Sequence, residues 1–231
     1  MKWKAKSPYS LTPPASWSQL PFGDAYSTLI GANFEKWFAR IAGRRLLKIS
    51  GLSAEVPCYQ PLQQVVLNDK TSEKLAALCR RQQAILIEGS LQELPFGEET
   101  VDACLLANTL NFTQDPHQLL RETERILSDD GYLLISLFNP CSKLLFKRRL
   151  GKFDFRLFLP FRVIDWLELL NFEILSQQTL CFGHEPKVFG SLCLIVAQKR
   201  TLPLTLQPQK VRFENQEILN PAGAFKEKIN T

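Results

Sequence analysis

Few residues of this chain have types that could do chemistry, and most of them follow strand-like runs. "LLKISGLSAEVP" (46–57) stands where a buried strand hands the chain to a loop, and it carries one glycine, Gly51. A nucleotide-binding α/β fold keeps several glycines at such a place, because the backbone there must approach a ligand closely and reach positive φ. Asp69 follows a second run, "QQVVLN", within about 20 residues of that loop, where a carboxylate can accept the hydroxyls of a ribose. An acid after a strand also serves to cap a helix, so both roles stay open for Asp69. His184, in "FGHEPKVFG", has the pKa range of a general base, but the sequence names no partner for it and a solvent-exposed loop histidine is the simpler reading. His117 lies at a helix start. Six cysteines at 58, 79, 104, 141, 181 and 193 form no C-x-x-C pair, and with two histidines they offer little to a metal. They read as reduced core residues of a cytoplasmic protein.

Charge is local. Between 143 and 162 stand Lys143, Lys147, Arg148, Arg149, Lys152, Arg156 and Arg162 against Asp154 alone, a net of +6 in a chain whose total is +5. Phe146, Phe153, Phe155, Phe158 and Phe161 are interleaved with these charges. One reading of 142–162 is a docking surface for an anionic or amphipathic acceptor. The plainer one is a solvated basic face over a phenylalanine-lined core. No stacking motif for nucleic acid is evident. No apolar run reaches the length of a bilayer span, and no apolar h-region follows the first lysines, so neither a transmembrane segment nor a signal peptide is expected.

The elements that must position these residues follow from periodicity. Ile30, Phe34, Trp37, Phe38 and Ile41 fall on one helical stripe in 24–42, with Asp24 suited to the N-cap and Gly43 to the stop. Strands are expected at 45–50, 63–69, 84–89, 101–108 and 129–139. Helices are expected at 72–82, 162–171 and 115–128, the last with Asp115 as cap and Pro116 in its first position. Pro57 and Pro61 leave room for at most a turn of helix between the first two strands. A final strand pair, 172–182 and 191–200, has no helix between its members and should be antiparallel. Alternating strands and helices imply one doubly wound Rossmann-like α/β sheet, with ligands at the carboxyl ends of its strands. Residues 1–23 read as an irregular arm, 24–206 as the domain and 207–231 as a disordered tail.

"GSLQELPFGEETVDACLLANTLNFTQDPHQLLRETERILSDDGYLLIS" (89–136) adds a resemblance. Leu94-Pro95-Phe96, Val101-Asp102, Asp115-Pro116, Leu119-Leu120-Arg121-Glu122 and Gly131 occur in the order found in class I S-adenosylmethionine-dependent methyltransferases of the type 11 kind. The resemblance implies a seven-stranded sheet with an antiparallel last strand, S-adenosyl-L-methionine as cofactor and methyl transfer to a small or amphipathic acceptor. It puts Lys48 where the family has an acid, and Ser50, Leu52 and Ala54 where it has glycines, with Gly51 one place out of step. Cofactor contacts are thereby implied for Ser50, Gly51, Asp69, Ser90, Leu91 and Asn108, and His184 falls on the ligand side of the sheet. A lysine ammonium facing a sulfonium would be repelled by roughly 4 kcal/mol, less if its side chain swings into water. Leu52 would fill space that the methionine moiety needs. The alternative expectation is a non-catalytic binding or scaffold protein of the same fold that has lost the cofactor. A membrane-surface or nucleic-acid adaptor would rest on 142–162 alone.

Overall fold

The computed structural model describes residue 6 and residues 11–41, 45–142, 144, 149–181 and 190–200, all within the compact unit Met1–Thr201. Gly43, His184, Phe146, Lys143, Lys147, Arg148 and the expected tail lie outside the described residues.

A seven-stranded sheet in the order β3-β2-β1-β4-β5-β9-β8 forms the frame. Its strands are β1 (Arg45–Ile49), β2 (Gln63–Asn68), β3 (Ile85–Glu88), β4 (Val101–Ala107), β5 (Leu127–Phe138), β8 (Phe172–Leu180) and β9 (Leu192–Lys199). The first five pair in parallel, whereas β9 runs antiparallel to both of its neighbours, as the missing helix between the last two strands requires. The expected seven-stranded doubly wound fold is therefore present.

Side-chain alternation divides the central strands between two apolar layers. Leu47, Ile49, Cys104, Leu106, Leu133, Ile135, Cys193 and Ile195 face one layer, closed by Leu119 and Leu120 of α5 (Pro116–Ile126) and Val163 and Leu167 of α6 (Pro160–Leu169). Leu46, Leu105, Leu134, Leu194 and Val196 face the other, closed by Ile30, Phe34 and Phe38 of α1 (Gly23–Phe38). Strands buried on both faces need near-continuous apolar sequence, and "VDACLLA" of β4 supplies it. Each fully buried Leu or Ile contributes about 1.5–3 kcal/mol.

Local signals decide the ends. Asp115 Oδ1 accepts the Gln118 N–H at 3.2 Å with Pro116 in the first turn, as expected. The Asp24 cap is corrected: the cap lies two residues earlier, at Phe22 with φ 59°, and Asp24 lies inside the first turn, where its charge still suits the helix dipole. Between β1 and β2 only α2 (Gly51–Ala54) forms, in keeping with Pro57 and Pro61. α3 (Glu73–Gln82) lies between β2 and β3, and no helix lies between β3 and β4. The single turn α4 (Thr109–Phe112), a 3-10 turn at Trp17–Gln19, and a hairpin of β6 (Arg149–Leu150) with β7 (Phe153–Asp154) inside the basic stretch had no periodic signal. Among the described residues no helix is long and apolar enough to cross a membrane.

Candidate functional site

Strand order reverses between β1 and β4, and an open α/β sheet places its ligand crevice beyond the carboxyl ends of strands at such a point. Here β1 is followed by Ser50 with φ 88° and ψ 160°, a conformation comfortable only for glycine. The backbone thus keeps a glycine shape where the sequence has a serine. Thr109 Oγ1 donates to the Ile49 carbonyl at 2.9 Å, and Ser53 Oγ donates to the same carbonyl at 2.6 Å while accepting the Ala107 N–H at 2.8 Å. With those protons committed, the Ser50 hydroxyl is the donor across the 3.0 Å contact with Thr109. This buried hydroxyl cluster fastens the end of β1 to the end of β4.

Beside it opens a cavity of about 160 Å3. Asp69, Ser90, Leu91 and Gln92 supply one wall from beyond β2 and β3, Ser50 and Leu52 a second, and Thr109, Phe112 and Thr113 a third. Asp69 Oδ1 accepts the Leu91 N–H at 3.2 Å, tying the end of β2 to the loop after β3, and the Ser90 hydroxyl accepts the Gln92 N–H at 3.1 Å. Of the six residues singled out in the sequence, the structure brings Ser50, Asp69, Ser90 and Leu91 together on this cavity. Gly51 lies just behind it: its N–H donates to Asn68 Oδ1 at 3.1 Å, and a Cβ there would stand 2.4 Å from the Ala15 carbonyl oxygen, so only glycine fits. Asn108 does not line the cavity. It is fully buried at φ 53°, accepts the Ser136 hydroxyl at 2.6 Å and donates to Asn111 at 3.2 Å.

Lys48 does not face the crevice. Its side chain is fully buried on the face of β1 that it shares with Leu46, and Nζ donates to the Val56 carbonyl at 2.7 Å. Both the expected repulsion and the expected swing into water are corrected by this contact. Burial lowers its pKa from 10.5 to about 8, with the Cys58 and Cys79 thiols acting the other way. Leu52, only 1% exposed, packs with Ile30, Phe34 and Leu46 in the core layer and also walls the cavity, where a glycine would leave room.

The remaining walls come from the segment before α1. Leu11 and Pro13 line the cavity, and Trp17, 0% exposed, donates from Nε1 to the Leu52 carbonyl at 2.8 Å and from its backbone to Glu55 Oε2 at 2.8 Å. Sequence reasoning missed these residues, since a Pro- and Ser-rich arm has no periodicity to mark it. Thr109 and Phe112 were missed too, although they follow Asn108 directly.

The basic stretch turns part of its apolar side inward. Phe153 and Phe155 pack on the α1 layer and Phe158 joins the opposite one, while Phe161 is 58% exposed. Arg149 pairs with Asp154 at 2.8 Å, and the Arg156 guanidinium lies 4.9 Å from the Phe158 ring centroid. Asn111 clasps the Arg156 backbone from both sides, so this segment borders α4. His117 is half-buried with its ring centroid 4.2 Å from that of Trp166, and burial lowers its pKa. Among the described residues no group of three or more His, Cys, Asp or Glu is placed to hold a metal, and the six cysteines are free thiols.

Residues 50–135 match a family described as a methyltransferase domain. Over 241 aligned residues the chain is 35% identical to the uncharacterized protein YafS of Escherichia coli (strain K12), covering 96% of each. The fold is similar to a crystal structure from Thermotoga maritima described as a SAM-dependent methyltransferase, possible histamine N-methyltransferase. That likeness has a TM-score of 0.59 at 21% identity, over 77% of this chain and 91% of the other. It is also similar to the 1,6-didemethyltoxoflavin-N1-methyltransferase of Burkholderia thailandensis, whose structure holds 1,6-didemethyltoxoflavin and S-adenosylhomocysteine. There the TM-score is 0.57 at 19% identity, over 77% of this chain and 80% of that one. At such identities likeness speaks for the fold, and function rests on the site.

Proposed function

Since the chain belongs to the class I S-adenosylmethionine-dependent methyltransferase superfamily, we propose that its crevice binds S-adenosylmethionine by the adenosyl end and serves methyl transfer to a small or amphipathic acceptor. One observation carries this reading: Asp69, Ser90 and Leu91 converge on a single cavity at the switch point of the sheet. Asp69 keeps Oδ1 on the Leu91 N–H and has Oδ2 for a ribose hydroxyl. Leu91 and Phe112 offer apolar surface to a base, and the Ser90 hydroxyl offers a polar edge.

The residues present fit the nucleoside half of the cofactor, and the amino-acid half does not fit the crevice as it stands. Leu52 takes space on that side, and Leu11 and Pro13 of the arm line what remains. The whole cofactor therefore requires the arm to move. When bound, S-adenosylmethionine supplies a methyl group already activated on a sulfonium, so the chain's share of the chemistry is positioning and the exclusion of water. Thr113 and Gln114 continue the wall toward Arg156, whose Nη1 donates to the Gln114 carbonyl at 3.4 Å. An anionic or amphipathic acceptor would enter on that side. This reading assigns the domain to 24–206 and 1–23 to an irregular arm, and would have the protein in the cytoplasm, where six free thiols stay reduced.

Titration calorimetry with S-adenosylhomocysteine tests it. Binding in the micromolar range that weakens tenfold or more in Asp69→Asn, about 1.4 kcal/mol, is expected. Silence up to about 1 mM, both in the wild type and in a variant with a loosened arm, sinks it. The second reading, a non-catalytic binding protein, is favoured by Leu52. Transfer of isotope-labelled methyl from S-adenosylmethionine into an extract of small molecules separates the two, because a binder transfers none.

A further inference from the structure

The crevice is asymmetric in size and in charge. Its nucleoside side is open, with Asp69, Ser90 and Gln92 exposed at the rim. Its other side is shut three times over. Leu52 fills the place of a glycine, the Ser50–Thr109 contact closes the gap between β1 and β4, and the arm lays Leu11 and Pro13 across what remains. The arm is anchored there rather than draped, because Trp17 is 0% exposed and holds both the Leu52 carbonyl and Glu55.

Charge tells the same story. Among the described residues lining the cavity, Asp69 is the sole charged one. An amino-acid tail carries an ammonium and a carboxylate, and desolvating each without a partner is costly. Lys48 gives the carboxylate no help, since its ammonium is buried against Val56 on the α1-facing side of the sheet. A neutral nucleoside needs none of these partners. On the adenosyl reading its ribose hydroxyls would meet Asp69 and its base Leu91 and Phe112, which line the cavity.

We propose that, with the arm closed, this crevice is a nucleoside site that takes adenosine, or an adenosine with a small uncharged 5′ substituent, and refuses a zwitterionic tail until the arm lifts. This inference rests on the adenosyl reading above and adds a regulatory consequence. Free nucleosides hold the arm shut and compete with the cofactor, and the apparent affinity for the cofactor falls with the fraction of chains whose arm is open.

The test is calorimetry on the full chain with adenosine, 5′-methylthioadenosine and S-adenosylhomocysteine. Wild type, Leu11→Ser/Pro13→Gly and Leu52→Gly are compared, with thermal melts to confirm folding. In the wild type, 5′-methylthioadenosine should bind at least tenfold more tightly than S-adenosylhomocysteine. Loosening the arm or removing Leu52 should close that gap to within threefold by a gain for S-adenosylhomocysteine. Leu52 is a core residue, so if Leu52→Gly does not fold the arm variant decides alone. Equal or tighter binding of S-adenosylhomocysteine to the wild type overturns the inference and leaves the methyltransferase reading standing. A gap that persists unchanged when the arm is loosened also overturns it. Failure of all three ligands to bind any folded variant overturns the adenosyl reading and this inference with it.

Discussion

Lys48 Nζ lies 2.7 Å from the Val56 carbonyl oxygen, so a lysine standing where the resemblance puts an acid is spent inside the protein, fully buried. A buried ammonium opposes folding, and its pKa of about 8 against 10.5 measures by how much. Below pH 8 both folded and unfolded chains carry the charge, and the folded state bears the whole cost of desolvating it. Between pH 8 and 10.5 the unfolded chain holds more protons, so stability rises with pH through that window. The Cys58 and Cys79 thiols, pushed up by burial, act in the opposite sense above pH 9. Comparison with Lys48→Met cancels most of their contribution, because burial rather than Lys48 is the main cause of their shift. From pH 7 to 10.5 the stability of the wild type should gain about 3 kcal/mol relative to Lys48→Met, read from urea midpoints at each pH. A gap that stays constant would show that Lys48 is not buried in its charged form.

Ser50 sits at φ 88°, where a side chain costs about 1–3 kcal/mol. Its hydroxyl recovers part of this by donating to Thr109 at 3.0 Å, a contact worth about 1 kcal/mol. Ser50→Ala keeps the strain and loses the hydrogen bond, whereas Ser50→Gly loses both. The glycine variant should be more stable than the alanine variant by about 1 kcal/mol in denaturant unfolding. An alanine variant as stable as the glycine one would mean that the loop relaxes without the side chain.

The fold was legible where burial imposes a period. Ile30, Phe34, Trp37 and Phe38 all prove buried, because a helix lying on a sheet must turn one stripe toward it, whereas Ile41, buried too, lies past the end of the helix at Phe38. Asp115 and Pro116 mark their helix by chemistry confined to four residues, so the signal survives without tertiary knowledge. Asp69 and the Ser90-Leu91 pair could be located because both follow strands whose ends the sheet brings level. The arm could not be read in the same way. Trp17 is buried through contacts with Leu52 and Glu55, more than 30 positions away, and no local spacing announces such a partner. Lys48 shows the complementary failure. Alignment fixes its position, but the direction of its side chain follows from the pleat of β1 and from where Val56 places its carbonyl.

Asn108 offers a direct separation between a ligand contact and a structural one. It ends β4 at φ 53°, a left-handed conformation that Asn tolerates better than most residues, and its side chain is satisfied at both ends by Ser136 and Asn111. Asn111 in turn holds the Phe138 N–H and the Arg156 carbonyl, so the three side chains join the ends of β4 and β5 to the segment after β7. Asn108→Ala would leave the Ser136 hydroxyl and Asn111 short of partners and put alanine in a left-handed backbone. A loss of about 2–4 kcal/mol of stability is expected. Because Asn108 does not line the cavity, the affinity of the folded variant for 5′-methylthioadenosine should stay within threefold of the wild type. A variant that keeps its stability and loses the nucleoside would reverse the assignment and make Asn108 a ligand contact.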